Sequence, residues 1–221
     1  MLRARLTAGV AAAGLALAVA ACDGSPASPY PATTPTPTAP TVAPQTMLLR
    51  PDQLRTYART DDSTVDAGTI ADQESDQSLI ATLQKQGLQV GARATYSDPN
   101  QGAPPTPFVT VISQVLFFND TAGATAFVGD ETRRRSVPPQ GGTLTPLDGL
   151  PLGGADSIVG LLADTPGQSA DQPPSRALFA IIRRGRVVAE LLGGGPASTA
   201  TVANFTSLVA LQEQQLTSHA T

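Results

Sequence analysis

The chain has 221 residues, of which 41% are hydrophobic and 14% charged, so it has enough apolar side chains for a packed core. It contains one cysteine, Cys22, and one histidine, His219. These counts exclude an internal disulfide framework, a multi-cysteine zinc or iron–sulfur site and a histidine-cluster metal site. The formal net charge of −4 disfavours general binding to polyanions, and we expect neither a nucleic-acid partner nor a cofactor.

The N-terminus has the pattern of an export signal. Arg3 and Arg5 form a short positive region, and residues 8–21 contain only Ala, Gly, Val and Leu. As a helix this run would span about 21 Å, less than the roughly 30 Å of a bilayer core. Residues 1–21 are therefore predicted to be a signal peptide and not a permanent membrane span.

Cys22 follows this apolar run directly, after Val19, Ala20 and Ala21, and the segment resembles a bacterial lipobox. The resemblance implies a diacylglyceryl thioether on Cys22, cleavage before it and acylation of the new amine with a fatty acid such as palmitate. The chain would then be a lipoprotein on the extracytoplasmic face of the cell membrane. An ordinary signal peptide with an incidental cysteine and an uncleaved anchor are the alternatives.

Residues 22–46 are predicted to be a disordered linker that carries the lipidated cysteine. Residues 23–45 contain seven prolines and five threonines, which favour an extended polyproline conformation and cannot form a core. Such a tether reaches at most about 70 Å. Residues 47–221 are predicted to form a single extracytoplasmic domain.

The first part of this domain mixes helical and strand patterns. A short helix is expected after Pro51, which suits a first helical turn. Residues 59–69 are polar and acidic and are predicted to be a loop. A helix is expected from Ser75 or Asp76 to Gly87, and the alternation of apolar and polar residues over 88–96 predicts a half-exposed strand.

The strongest strand pattern covers residues 108–118, where both faces are largely apolar, so this strand is placed near the centre of a sheet. A polar cap and apolar residues at helical spacing predict a helix over 121–135, with basic residues at its C-terminal end. Residues 138–154 are rich in turn-forming residues and are predicted to be a loop.

The C-terminal part is predicted to be a strand, a hairpin and a helix. The strand covers residues 157–163, and the hairpin covers 177–192 with a tight turn at 184–185. Three glycines at 193–195 are expected to end the hairpin. A final helix begins after Ser198 or Thr199 and buries one apolar stripe.

This order of elements lacks the long strand–helix alternation of a doubly wound sheet. It predicts an α+β domain in which an antiparallel sheet has helices packed mainly on one face.

Three stretches carry a family resemblance: residues 47–52, the strand–cap–helix pattern of 111–127, and the hairpin of 176–192. Together they resemble the extracellular sensor domain of actinobacterial serine/threonine kinases of the PknH type, and lipoproteins that share this domain. The resemblance implies a ligand-sensing or envelope-binding module with a cleft beside the sheet and without catalysis.

Two arginine clusters are the candidate binding residues, because guanidinium groups suit carboxylate and phosphate recognition. The clusters are Arg133, Arg134 and Arg135 at the end of the predicted helix, and Arg183, Arg184 and Arg186 at the hairpin tip. They could converge on a wall polymer or on lipid headgroups, or remain two separate solvated ends.

The sequence contains no catalytic motif, since His219 lies two residues from the C-terminus and is a poor base for a nucleophile. The leading hypothesis is a membrane-anchored, non-enzymatic ligand-binding or sensor-like module, with an envelope protein or wall polymer as a further partner. The alternatives are a structural or assembly factor of the envelope and a carboxylate-based envelope hydrolase.

Overall fold

A seven-stranded antiparallel sheet organises the part of the chain that the computed structural model describes, residues 40–100, 106–167 and 173–219. The strands are β1 (Ala58–Val65), β2 (Leu88–Ser97), β3 (Thr110–Phe118), β4 (Thr143–Pro146), β5 (Ser157–Thr165), β6 (Ser175–Arg184) and β7 (Val187–Pro196). The helices are α1 (Ala67–Gln73), α2 (Leu79–Lys85), α3 (Thr121–Arg135), α4 (Val202–His219) and a short 3-10 helix, Pro44–Met47. The strand order is β1-β2-β3-β7-β6-β5-β4, and every neighbouring pair is antiparallel.

Each face of the sheet has its own apolar core, because alternate side chains of a strand point to opposite faces. On one side, the α4 face, Val111, Val115 and Phe117 of β3 pack with α4 and the 3-10 helix. On the other side, the α3 face, Leu116 and Phe118 pack with α1, α2 and α3.

The predicted fold class is confirmed. Of the four α-helices in the described residues, three lie on the α3 face and α4 covers the other. The strand expected to be central, β3, is indeed interior in the sheet and is almost wholly buried. Among the described residues, no helix combines the length and the hydrophobicity that a membrane span requires.

Helix α3 has the bounds that the sequence predicts, and local chemistry explains why. The Asp120 carboxylate accepts a hydrogen bond from the Gly123 backbone amide at 2.7 Å and caps the first turn. Arg133, Arg134 and Arg135 form the last turn, where positive charge is favoured by the helix dipole.

Two predicted loops contain edge strands. Residues 59–69 hold most of β1 and the start of α1, and residues 138–154 hold β4. Both strands lie at the ends of the sheet and are mostly exposed, so they lack the apolar alternation that marks a half-buried strand. The helix expected after Pro51 is instead a series of turns in which Leu54 is buried.

The hairpin is longer than predicted and turns one residue later. Arg184 pairs with Val187, which leaves Gly185 and Arg186 as a two-residue turn with Gly185 at φ +56°. The glycines at 193–195 continue β7 and do not end it. A side chain at Gly193 would lie 3.0 Å from the Phe108 ring, so glycine is needed there for close packing.

The folded part begins before the predicted boundary at Met47. Pro44 is buried, and Val42 packs against the core of the α4 face. Residues 40–46, assigned by the sequence to the linker, therefore belong with the folded unit. Cys22 and residues 1–39 lie outside the described residues.

Candidate ligand-binding site

A row of polar side chains crosses the middle of the α3 face. Arg93 of β2 pairs in register with Gln114 of β3, which pairs with Glu190 of β7. Residues paired in this way point to the same face. The row lies on the face that otherwise buries Leu116 and Phe118.

A cleft of about 280 Å³ opens above this row, between the sheet, α1 and α3. The volume lies near the lower limit of ordinary small-molecule sites, which is roughly 300 Å³. Apolar walls and charged groups share the lining, which consists of Ile70, Gln73, Glu74, Arg93, Ile112, Gln114, Phe127, Glu131, Arg134, Arg135, Phe179, Glu190 and Leu192.

Glu190 lies in the floor of the cleft and is only 8% exposed. Burial, together with the nearby Glu131 carboxylate, raises the pKa of Glu190 to about 8, against the opposing influence of Arg135, Gln114 and Arg134. The Gln114 Nε2 group donates a hydrogen bond of 2.6 Å to Glu190 Oε2. At neutral pH this carboxyl group is therefore largely protonated, and it can donate a hydrogen bond as well as accept one.

The wall formed by α3 holds a network of ion pairs around the buried Glu131. Arg134 Nη2 donates to one carboxylate oxygen of Glu131, and Arg135 Nε donates to the other at 2.7 Å. Arg135 Nη2 also donates to Glu74 Oε1 at 2.6 Å, and its guanidinium lies 5.1 Å from the ring centroid of Phe179. Both oxygens of Glu131 are thus occupied, and Arg135 is held by two carboxylates and an aromatic face.

Several buried polar atoms around the cleft have no hydrogen-bond partner among the described residues. They are Glu190 Oε1, Arg93 Nε, and Nε and Nη1 of Arg134. A buried polar atom without a partner costs about 1–3 kcal/mol, and such atoms are uncommon in folded proteins. Their concentration beside one cleft indicates hydrogen-bonding capacity that the protein itself does not use.

The two predicted arginine clusters do not converge. The Phe118 backbone amide donates to the Arg186 carbonyl at 3.0 Å, which places the hairpin tip near the start of α3. Arg133, Arg134 and Arg135 lie at the other end of this 15-residue helix, roughly 20 Å along its axis. An anion site made by both clusters together is therefore excluded by the fold.

Only part of the first cluster reaches the cleft. Arg134 and Arg135 line it, whereas Arg133 pairs with Asp130 and its side chain is 76% exposed. Anion binding by these arginines remains a prediction.

The second cluster lies at the hairpin tip. Arg183 Nη1 forms an ion pair with Asp156 at 2.9 Å. Arg184 and Arg186 line a separate depression of about 340 Å³, together with Asp156 and His219. The tip thus contains acidic as well as basic groups, and its anion binding likewise remains a prediction.

Sequence reasoning missed Arg93, Gln114, Glu131 and Glu190 as site residues. A signal was present for two of them, because Gln114 and Glu190 interrupt apolar runs at positions where the alternation requires a buried side chain. Glu131 lies within the predicted helix of residues 121–135, but its burial depends on how α3 docks on the sheet. Within the described ranges, no group of three or more His, Cys, Asp or Glu residues could hold a metal ion.

Comparison with known proteins gives a likeness of fold. No protein-family model matches the chain, and no curated protein matches it. Among solved structures, the crystal structure of the extracellular domain of PknH from Mycobacterium tuberculosis is similar, with a TM-score of 0.53 and 13% sequence identity. The match covers 79% of this chain and 96% of that one. This chain is therefore similar in fold to the PknH extracellular domain, as the sequence resemblance implied.

Proposed function

We propose that this protein is a non-enzymatic ligand-binding module of the cell envelope, lipid-anchored through Cys22, and that the cleft on the α3 face is its binding site. One observation carries the binding proposal: buried polar atoms of Arg93, Arg134 and Glu190 border one cleft and have no partner among the described residues. A ligand that forms hydrogen bonds with these atoms would remove the free-energy cost of leaving them unpaired.

The likeness to the extracellular domain of a kinase supports a sensor-like role outside the cytoplasm. The order of a positive region, an apolar run and a cysteine in residues 1–22 supports the anchor. A structural or assembly factor would be expected to present a large apolar patch. The exposed large apolar side chains in the described segments are Val137, Leu152 and Val202, each in a different part of the chain.

The cleft is tested by thermal unfolding of the full-length chain in detergent with a panel of small organic acids, amines, sugars and neutral amides. A compound present at ten times its dissociation constant should stabilise the fold by about 1.4 kcal/mol and raise Tm by roughly 3–6 °C. Gln73→Trp, at the exposed rim of the cleft, should abolish this shift, whereas Gln77→Trp outside the cleft should retain it. A panel without any shift that depends on residue 73 would contradict the proposed site.

The anchor is tested by labelling cells with a radioactive or clickable palmitate analogue. Wild-type protein should incorporate the label, and Cys22→Ser should not. A double variant, Cys22→Ser with Ser25→Cys, keeps one thiol but moves it three residues from the apolar run. Labelling of the double variant at the wild-type level would show that the lipobox position is irrelevant and would overturn the anchor.

A carboxylate-based hydrolase is a second candidate, favoured by one observation: Glu131 and Glu190 line the same cleft in unlike surroundings, Glu131 paired with two arginines and Glu190 with its pKa raised by burial. Such a division is typical of glycosidases. Against it, both oxygens of Glu131 already accept hydrogen bonds from arginines. Hydrolysis of nitrophenyl glycosides or of cell-wall glycan by wild-type protein, lost in Glu190→Gln, would favour the hydrolase over the binding module.

A further inference from the structure

We infer that the cleft takes a small carboxylate with an apolar body, with Arg93 as its charge partner and the Glu190 carboxyl group as its second hydrogen-bonding group. This inference rests on the proposed function and specifies the class of ligand. It follows from the distribution of charge around the cleft, the position of Arg93 in the sheet and the nature of the walls.

The charges of the α3 wall are balanced within the protein. Arg134 and Arg135 bind Glu131, and Arg135 also binds Glu74. The Arg93 guanidinium forms no ion pair and no hydrogen bond with the described residues, and its Nε is buried without a partner. The cleft therefore has one positive charge without a counterpart, and an anion would supply it.

The sheet keeps Arg93 away from the nearest carboxyl group in its own row. Gln114 lies between Arg93 and Glu190, so their Cα atoms are two interstrand spacings, roughly 9–10 Å, apart. The Gln114 amide is committed to Glu190 Oε2, and its orientation leaves Glu190 Oε1 without a partner. A carboxylate on the floor of the cleft between Arg93 and Glu190 could contact both groups.

Glu190 favours an anion over a cation because its carboxyl group is neutral near pH 7. The charged groups that line the cleft with it are Arg93 of β2, Glu74 at the end of α1, and Glu131, Arg134 and Arg135 of α3. A protonated carboxyl can donate a hydrogen bond to a ligand carboxylate, and the added negative charge raises its proton affinity further. Binding should therefore be coupled to the uptake of a proton when the pH is close to the pKa of Glu190.

The walls define the rest of the ligand. The apolar part of the lining includes two aromatic rings and three aliphatic side chains: Phe127, Phe179, Ile70, Ile112 and Leu192. With a volume of about 280 Å³, the cleft suits a compact ring or a short chain that carries a carboxylate.

The inference is tested with benzoate, benzamide and benzylamine, which have similar size and differ in charge. Titration calorimetry on the full-length chain in detergent at pH 7.5 should give binding of benzoate, at least about tenfold weaker binding of benzamide, and the weakest binding of benzylamine. Arg93→Gln should weaken benzoate binding at least about tenfold and leave benzamide binding unchanged. Arg133→Gln, a change of the same type outside the cleft, should alter neither.

The proton linkage is measured by repeating the benzoate titration in buffers with different ionisation enthalpies. Wild-type protein should take up a fraction of a proton per benzoate bound near pH 8, and Glu190→Gln should take up none. A structural role for Glu190 would not move this readout.

Three results would each overturn the inferred ligand class. They are tighter binding of benzylamine than of benzoate, normal binding of benzoate by Arg93→Gln, and no binding of any of the three compounds at about 10 mM. These results are distinguishable from failure of the proposed function. If a sugar or an amine still gives a thermal shift that Gln73→Trp abolishes, the site remains a binding site for a different class of ligand.

Discussion

The polar network around Ser113 on the α4 face and the polar row on the α3 face differ in how completely their hydrogen bonds are formed. On the α4 face, Ser113 Oγ accepts a hydrogen bond from the Leu49 amide at 3.1 Å and donates to Gln212 Oε1 at 2.7 Å. Gln212 Nε2 donates to the Met47 carbonyl at 2.8 Å, and the Tyr96 hydroxyl donates to the Leu49 carbonyl. This network ties the segment around the 3-10 helix to β3 and α4.

On the α3 face, the row of Arg93, Gln114 and Glu190 is only partly satisfied. Both faces belong to the same strands, so fold topology does not explain the difference. The hydrogen-bonded side chains of Ser113 and Gln212 on the α4 face stabilise the structure, whereas the polar row on the α3 face retains unused donors and acceptors beside a cleft. The variants below test whether these two roles are real.

The largest effect is expected from the apolar core of the α4 face. Phe205 of α4 is fully buried and packs edge-on against Phe108, with ring centroids 6.4 Å apart. Phe205→Ala should lower the free energy of unfolding by about 3–5 kcal/mol, because it leaves a cavity. Val202→Ala, on the same helix but 39% exposed, should change it by less than about 0.5 kcal/mol. Urea unfolding measures both, and a similar small effect of the two would contradict a tightly packed α4 face.

The next largest effect is a pH dependence of the free energy of unfolding, which comes from Glu190 on the α3 face. The folded-state pKa of Glu190 is raised to about 8, above its unfolded value, so the folded protein holds a proton that the unfolded chain releases. This stabilising contribution is complete below the unfolded pKa and is lost as the pH rises towards 8, by at most about 1.4 kcal/mol per pH unit. Glu190→Gln lacks this loss, so the variant should gain stability relative to wild type between pH 5 and 8.

Urea unfolding of both proteins at pH 5, 6.5 and 8 measures that difference. Glu213, whose pKa is also raised by burial, titrates in both proteins and cancels in the comparison. A difference that stays constant with pH would show that Glu190 is ionised throughout and would contradict the protonated state.

A smaller effect is expected for the satisfied network of the α4 face. Gln212→Ala removes the partner of the Ser113 hydroxyl and of the Met47 carbonyl, both of which are buried. Leaving buried groups unpaired should cost about 1–3 kcal/mol. Gln214→Ala, at an exposed position of the same helix, is the matched control and should be close to neutral. If the two changes lower the free energy of unfolding equally, the hydrogen bonds of Gln212 do not stabilise the fold.

The interior of the fold was predictable because its elements are defined locally. The alternation over β2, the two apolar faces of β3 and the cap of α3 at Asp120 are all readable from consecutive residues. The edge strands β1 and β4 were not, since they bury little and are held by backbone pairing with β2 and β5. Backbone pairing leaves no pattern in the side chains of an exposed strand.

The site was less predictable because it depends on register between distant segments. Arg93, Gln114 and Glu190 come from three strands and become neighbours only through the pairing of β2, β3 and β7. The sequence analysis predicted Arg134 and Arg135 as binding residues, but it placed Arg133 in the same cluster, and Arg133 does not line the cleft. Three consecutive residues of a helix point in directions about 100° apart, so they cannot all face one cleft.

This difference among adjacent arginines gives the smallest predicted effect. Arg133 forms an exposed pair with Asp130 on the solvent side of α3, so Arg133→Gln should change the free energy of unfolding by less than about 0.5 kcal/mol. Arg134→Gln removes one of the two partners of the buried Glu131 carboxylate and should cost more, about 1–3 kcal/mol. Urea unfolding at pH 7 compares the two variants directly. If both variants lose the same free energy of unfolding, the ion pairs of Glu131 are as solvated as the surface pair of Arg133. The α3 wall of the cleft would then not be rigidly held, which would contradict selective binding there.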